Sequence, residues 1–110
     1  MWLIIIFLNS YCLLVNASSQ PDHNVIAFME QAHFYYEEGD YKNASEIYQK
    51  VSIIEPSNAR AYLLAGYNLR ALKKYEDARE LFKRATVVEP AHPLGYHYLG
   101  SALARTEEME

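Results

Sequence analysis

Tyr41, Ala44, Ile47, Tyr48, Val51 and Pro56 recur, all at one constant offset, as Tyr75, Ala78, Leu81, Phe82, Ala85 and Pro90. A repeat of about 34 residues, with small, aromatic and proline positions held in place, marks helical hairpins stacked side by side. One hairpin alone leaves an apolar face uncovered, and stacking buries it. Stacks of this kind usually hold another protein rather than catalyse a reaction.

The helices are legible from apolar spacing. Val25, Ile26, Phe28, Met29, Ala32 and Tyr35 or Tyr36 return every three or four positions, predicting a helix from Asp22 to Glu38 that Gly39-Asp40 breaks. The second runs from Tyr41 to Ile54, with Ala44, Ile47, Tyr48 and Val51 inward and Lys42, Glu46, Gln49 and Lys50 outward. Pro56 stops it, and Ser57-Asn58 is suited to cap its successor. A third helix is expected from about Ala59 to Leu72 and a fourth from about Tyr75 to Val88, with Pro90 as the next stop. A fifth spans Pro93 to Arg105, with Pro93 in its first turn, where a missing N–H costs nothing. The acidic end Glu107-Glu108-Met109-Glu110 is expected to fray. Glu46 with Lys50 and Glu80 with Arg84 are spaced to pair along the outer helices.

With 110 residues the chain has material for one small domain. Its net charge of −4 comes from both signs mixed along the chain, whereas nucleic acid asks for a clustered basic stripe, so no nucleic-acid partner is expected. The single cysteine, Cys12, excludes an intrachain disulfide. It lies in an uncharged run, residues 2–15, that is too short for the roughly 20 apolar residues of a membrane span and closer to the core of an export signal. Val15 and Ala17 place a signal-peptidase cut before Ser18, although no Lys or Arg precedes the run. Residues 1–17 are therefore read as a signal peptide or short hydrophobic anchor, with a mis-called start or a buried helix as the third option, and 18–24 as a polar lead-in. Cleavage would send the chain to the secretory pathway, periplasm or exterior; retention would hold it at a membrane through residues 2–15.

The slots resemble those of the tetratricopeptide repeat family. Taking 25–58 as one unit, they are filled by Phe28, Ala32, Tyr35, Ala44, Tyr48, Val51 and Pro56; in 59–92, by Tyr62, Gly66, Leu69, Ala78, Phe82, Ala85 and Pro90. A third unit, 93–105, begins with Tyr96, Leu99, Gly100 and Leu103, and 106–110 forms an acidic tail. Gln31 stands where Leu is common, and Val51 replaces a small Ala. The resemblance implies an all-α fold, a right-handed α-solenoid of antiparallel helix pairs, with two units and the first helix of a third.

It also implies that the first helix of each pair lines a concave groove. The residues carried over are His33 and Tyr36; Arg60, Leu63, Leu64, Tyr67 and Arg70; and His97, Tyr98 and Ser101, flanked by Ile26, Met29, Glu30, Glu37, Ala71, Leu94 and Arg105. Tyr supplies apolar area with a hydroxyl, and Arg forks onto carboxylate, which suits a peptide or helix. The same tyrosines also suit ordinary helix packing. Some family members grip a C-terminal carboxylate with Lys and Asn; here the corresponding places hold Met29, His33, Leu64, Leu94 and Tyr98, and the clamp is absent.

No GxSxG, phosphate loop, HExxH or metal-ligand spacing is present, so neither an enzyme activity nor a cofactor or metal is expected. Asn43-Ala44-Ser45 is a glycosylation sequon with meaning only in a eukaryotic secretory lumen. The expectation is a non-enzymatic adaptor that binds a partner peptide or helix and assists complex assembly. Two alternatives stay open: a repeat-bearing piece of a larger enzyme such as a transferase, or a module that self-associates through the 93–105 helix, where Tyr96, Leu99, Ala102 and Leu103 would normally be covered by the second helix of a complete unit.

Overall fold

Five helices follow one another in the computed structural model, whose described residues are 23–109. They are α1 (His23–Glu37), α2 (Tyr41–Ile54), α3 (Ala59–Ala71), α4 (Tyr75–Val88) and α5 (Gly95–Met109), with no strand among the described residues. Each packs against the next, and α3 also touches α5, so the fold is an all-α solenoid of helical hairpins. No described helix is long and apolar enough to cross a membrane. The leader, 1–17, lies outside the described residues, as does any membrane contact through 2–15.

The first hairpin turns on Gly39, whose φ of 77° suits a residue without Cβ. Asp40 N–H donates to the Tyr35 carbonyl at 2.8 Å and Gly39 N–H to that of Tyr36 at 3.0 Å, satisfying the last carbonyls of α1. Asp40 then caps α2, its carboxylate accepting from Asn43 N–H at 3.2 Å. The same two bonds recur one unit later, from Lys74 to Leu69 and from Lys73 to Arg70, both at 2.9 Å. There the left-handed position is filled by Lys73, at φ 63°, and Lys74 offers no side-chain cap to α4. Between the units Asn58 caps α3 by accepting from Ala61 N–H at 3.1 Å, and the Tyr62 hydroxyl ties down the turn by donating to the Pro56 carbonyl at 3.1 Å.

Small residues lie where the helices cross. Ala32, Ala44 and Ala65 surround Tyr48 in one cluster; Ala78, Ala85 and Ala102 surround Phe82 in the next, with Tyr62, Leu63 and Leu69. Gly66 is needed at its crossing, because a Cβ there would sit 2.6 Å from the Phe82 ring. Val25, Val51 and Ala61 form a third, smaller cluster.

The fifth helix departs from its expected bounds at both ends. It starts at Gly95 rather than Pro93, because His92 organises a turn first: its Nδ1 accepts from Leu94 N–H at 3.3 Å and its carbonyl from Gly95 N–H at 3.2 Å. It continues past Arg105 to Met109, where no Gly or Pro stops it and Glu is a good helix former. Of the residues expected to be uncovered on it, Ala102 is buried and Leu99 half-buried against the Phe82 cluster, while Tyr96 is 60% and Leu103 40% exposed. The outer-face pairing also differs. Lys50 lies over the Phe28 ring at 4.4 Å instead of meeting Glu46, and Glu80 sits 3.8 Å from Arg79, which reaches Glu76 at 3.2 Å.

Candidate functional site

Alternate helices α1, α3 and α5 present one side of the stack, and a groove of about 630 Å³ opens there. Its apolar lining is Val25, Ile26 and Met29 of α1 and Leu64 of α3. Its polar lining is His33, Arg60, Asn68, Glu55 and Asn58, with Tyr36, Tyr48, Tyr67 and Tyr98 supplying rings and hydroxyls.

Three of these tyrosines form a ladder across the helices. The Tyr36 and Tyr67 rings are 5.9 Å apart and those of Tyr67 and Tyr98 6.0 Å, each pair edge-to-face at 67°. This is a favourable arrangement of ring quadrupoles. Their spacing in the chain falls about one helical turn short of the repeat period, so the ladder climbs the stack obliquely. His33 stacks on Tyr36 at 6.0 Å, and Tyr98 is held from behind by Phe82, stacked at 5.4 Å. The ladder is thus rooted in the core. A hydrogen bond with Tyr67, then the electrostatics of Tyr67, hold the proton on the Tyr36 hydroxyl and push its pKa up. Burial raises that of Tyr48, against a smaller opposing pull from Arg60.

A second recess of about 410 Å³ adjoins the groove through Tyr67 and is lined also by Arg70, Ala71, Tyr75, Ser101 and Arg105. The Arg70 guanidinium lies 5.0 Å from the Tyr67 ring and 5.3 Å from that of Tyr98, and its Nη1 donates to Ser101 Oγ at 3.2 Å. Two rings and one hydroxyl thereby fix the fork of Arg70. No described carboxylate lines this recess or pairs with Arg70.

The sequence-derived residues divide accordingly. His33, Tyr36, Arg60, Leu64, Tyr67 and Tyr98 line the groove, and Arg70 and Ser101 the recess. His97 lies outside both, exposed, with its ring 5.6 Å from Tyr98. Leu63 is a correction: it is 4% exposed in the Phe82 cluster, against which Tyr98 and Leu99 of α5 pack. Transfer of helix faces does not register that α5 covers this slot on α3. His33 approaches Glu37 at 3.5 Å on the exposed surface, and no described group of three or more His, Cys, Asp or Glu could hold a metal.

Asn68 is a groove residue that helix-face transfer misses. It is 1% exposed, its Nδ2 donates to the Leu64 carbonyl at 2.7 Å, and its Oδ1 is buried with no partner among the described residues. The chain does carry a signal for it: Asn68 shares its repeat slot with Ala102, a polar residue where the next unit has a buried Ala.

Comparisons with known proteins agree with this architecture. The family model described as anaphase-promoting complex, cyclosome, subunit 3 matches residues 6–85, and a tetratricopeptide repeat model matches 63–110. No curated protein gives a significant match. Among solved structures, the second TPR of Spaghetti (RPAP3), bound to the HSP90 peptide SRMEEVD, is similar with a TM-score of 0.73 and 19% identity over 78% of this chain and 80% of that one. That likeness is one of fold. The family match over most of the chain, with helices stacked in units of one constant period, makes this protein a member of a tetratricopeptide repeat family, the one named for subunit 3 of the anaphase-promoting complex.

Proposed function

We propose that the chain is a non-enzymatic adaptor that holds a segment of a partner protein along the Tyr36–Tyr67–Tyr98 ladder. The observation that carries this reading is Arg70, pinned on two ladder rings and Ser101 with no described carboxylate beside it. A guanidinium positioned in advance next to aromatic area loses little freedom on binding. The preferred segment places apolar side chains over Ile26, Met29 and Leu64 and a carboxylate at Arg70 and Arg105. Membership in a family named for a subunit of a complex supports assembly as the setting.

The neighbour's ligand makes a useful contrast. SRMEEVD ends in acidic residues, but Met29, His33, Leu64, Leu94 and Tyr98 replace the Lys and Asn clamp here, so that peptide is expected to bind this chain poorly. A panel of apolar-acidic, apolar-basic and SRMEEVD peptides titrated against the protein tests the reading. Preference for the apolar-acidic member, with affinity falling about tenfold or more in Tyr67→Ala and Arg70→Ala at unchanged helix content, supports it. Equal binding of all members, or binding indifferent to both substitutions, contradicts it.

A second reading rests on Tyr96. It occupies the slot of the buried Tyr62 but is 60% exposed, on a helix that also shows Leu103 at 40%, beside Leu94 at 46% in the turn before it. We propose this face for self-association; a concentration-dependent dimer lost on Tyr96→Ser would support it, and a monomer at every concentration would not.

A further inference from the structure

The recess beside Tyr67 departs from the repeat that builds it. Tyr67, Arg70, Ser101 and Arg105 line it, and one period earlier their slots hold His33, Tyr36, Tyr67 and Ala71. In that earlier place Tyr36 and Tyr67 share a hydrogen bond, and no arginine is present. The slots alone therefore do not require two guanidinium groups at the second junction.

What the recess offers is donors. Arg70 is held on the Tyr67 and Tyr98 rings at 5.0 and 5.3 Å and uses one N–H on Ser101 Oγ at 3.2 Å, so the rest of its fork remains for a ligand. Ser101 accepts that bond and keeps its own hydrogen to give. Arg105, one turn further along α5, is exposed, and neither arginine meets a described carboxylate. Tyr75 brings a phenol and opens α4, whose first turn has no side-chain cap. The dipole of that helix adds positive potential, which Glu76 and Asp77 in the same turn offset in part.

A carboxylate, with one charge and two oxygens, engages a single fork. A phosphate monoester brings about −1.5 to −2 charges and three acceptor oxygens, matching two guanidinium groups and a hydroxyl. The recess, about 410 Å³, has room for a tetrahedral group. The chain's own net charge of −4 repels a polyanionic strand or bilayer, so the oxyanion is expected singly, on a protein.

We infer that this recess receives a phosphorylated side chain of the segment lying in the groove, so that phosphorylation of the partner strengthens its capture. This rests on the adaptor reading above. Leu64 and Arg70 stand six residues apart on α3, about 9 Å along the helix axis. An extended peptide covers that distance in about three residues, which sets the spacing between its apolar and phosphorylated positions.

The test is calorimetric titration of the full chain with peptides that carry an apolar residue and, three positions away in either direction, Ser, Glu or phosphoserine. The phosphoserine member is expected to bind at least ~10-fold more tightly than the Glu member, with the Ser member weakest. Arg105→Gln, which alters an exposed side chain, is expected to bring the preference for phosphoserine over Glu below about 3-fold, and Arg70→Gln to do the same at unchanged helix content. Equal binding of the Glu and phosphoserine members overturns the inference while leaving the adaptor reading in place. A phosphoserine preference unmoved by both substitutions also overturns it, because the phosphate then sits elsewhere. So does displacement of the phosphopeptide by inorganic phosphate at equal concentration, which assigns the recess to the free ion. If no peptide in the series binds, the adaptor reading falls and this inference with it.

Discussion

Residues 25–58 and 59–92 carry the same slots, yet their first helices have different surroundings. In the second unit α3 is closed on both sides, by α2 and by α4 with α5; in the first, α1 has a described neighbour on one side only. Ala65 is fully buried where Gln31 is exposed, and Asn68 is buried where Phe34 is not. The turns show the reverse ranking. The first hairpin has Gly39 at its positive φ and Asp40 as a cap, while the second makes do with Lys73 and Lys74. A helix packed on both sides tolerates a poorer turn, because tertiary burial outweighs local propensity.

The heaviest expected effect falls on the doubly packed unit. Phe82→Ala removes a ring that is 0% exposed, abuts Gly66 and stacks on Tyr98, and is expected to cost about 3–5 kcal/mol in urea unfolding. Because the same ring backs Tyr98, peptide binding should fall with it. Gly66→Ala comes next: the first unit accommodates Ala32 in this slot, but at Gly66 the added methyl meets Phe82, for about 1–3 kcal/mol. Adding Phe82→Leu should recover part of that loss, and strict additivity of the two would show that they do not touch.

Turn substitutions would even out the two units. Asp40→Ala is expected to cost about 1 kcal/mol through loss of the bond to Asn43, and Lys74→Asp to return a similar amount by capping α4. Lys73→Gly should stabilise by up to about 1 kcal/mol, since glycine accepts a φ of 63° without a Cβ clash. A loss on Lys73→Gly would mean that the lysine side chain holds the turn.

Asn68→Ala is the smallest effect and the most diagnostic. Removing a residue only 1% exposed ordinarily costs stability, but here it also removes an acceptor with no described partner, so the net change is expected to stay within about 1 kcal/mol of zero. If the variant loses much more, Oδ1 has a partner in solution.

Much of this is legible in the chain because the repeat constrains it twice over. Tyr48 and Phe82, or Ala44 and Ala78, announce by recurrence that they fill one kind of crossing, and both pairs are buried as expected. What does not read through depends on neighbours rather than slots. Leu63 stands on the groove face of its helix, and α5 covers it there. The capping turn at His92 that delays α5 to Gly95 is local geometry that a proline rule does not capture. The ladder tyrosines can be picked out one by one, but their edge-to-face succession follows from how adjacent units are offset, which no single slot encodes.

The adaptor reading is tested most directly by following backbone amide resonances of the full chain during titration with an apolar-acidic peptide. Shifts confined to α1, α3 and α5, strongest around Tyr36, Tyr67, Arg70 and Tyr98, are the predicted result. Shifts centred on the outer helices α2 and α4, or none at saturating peptide, would contradict it.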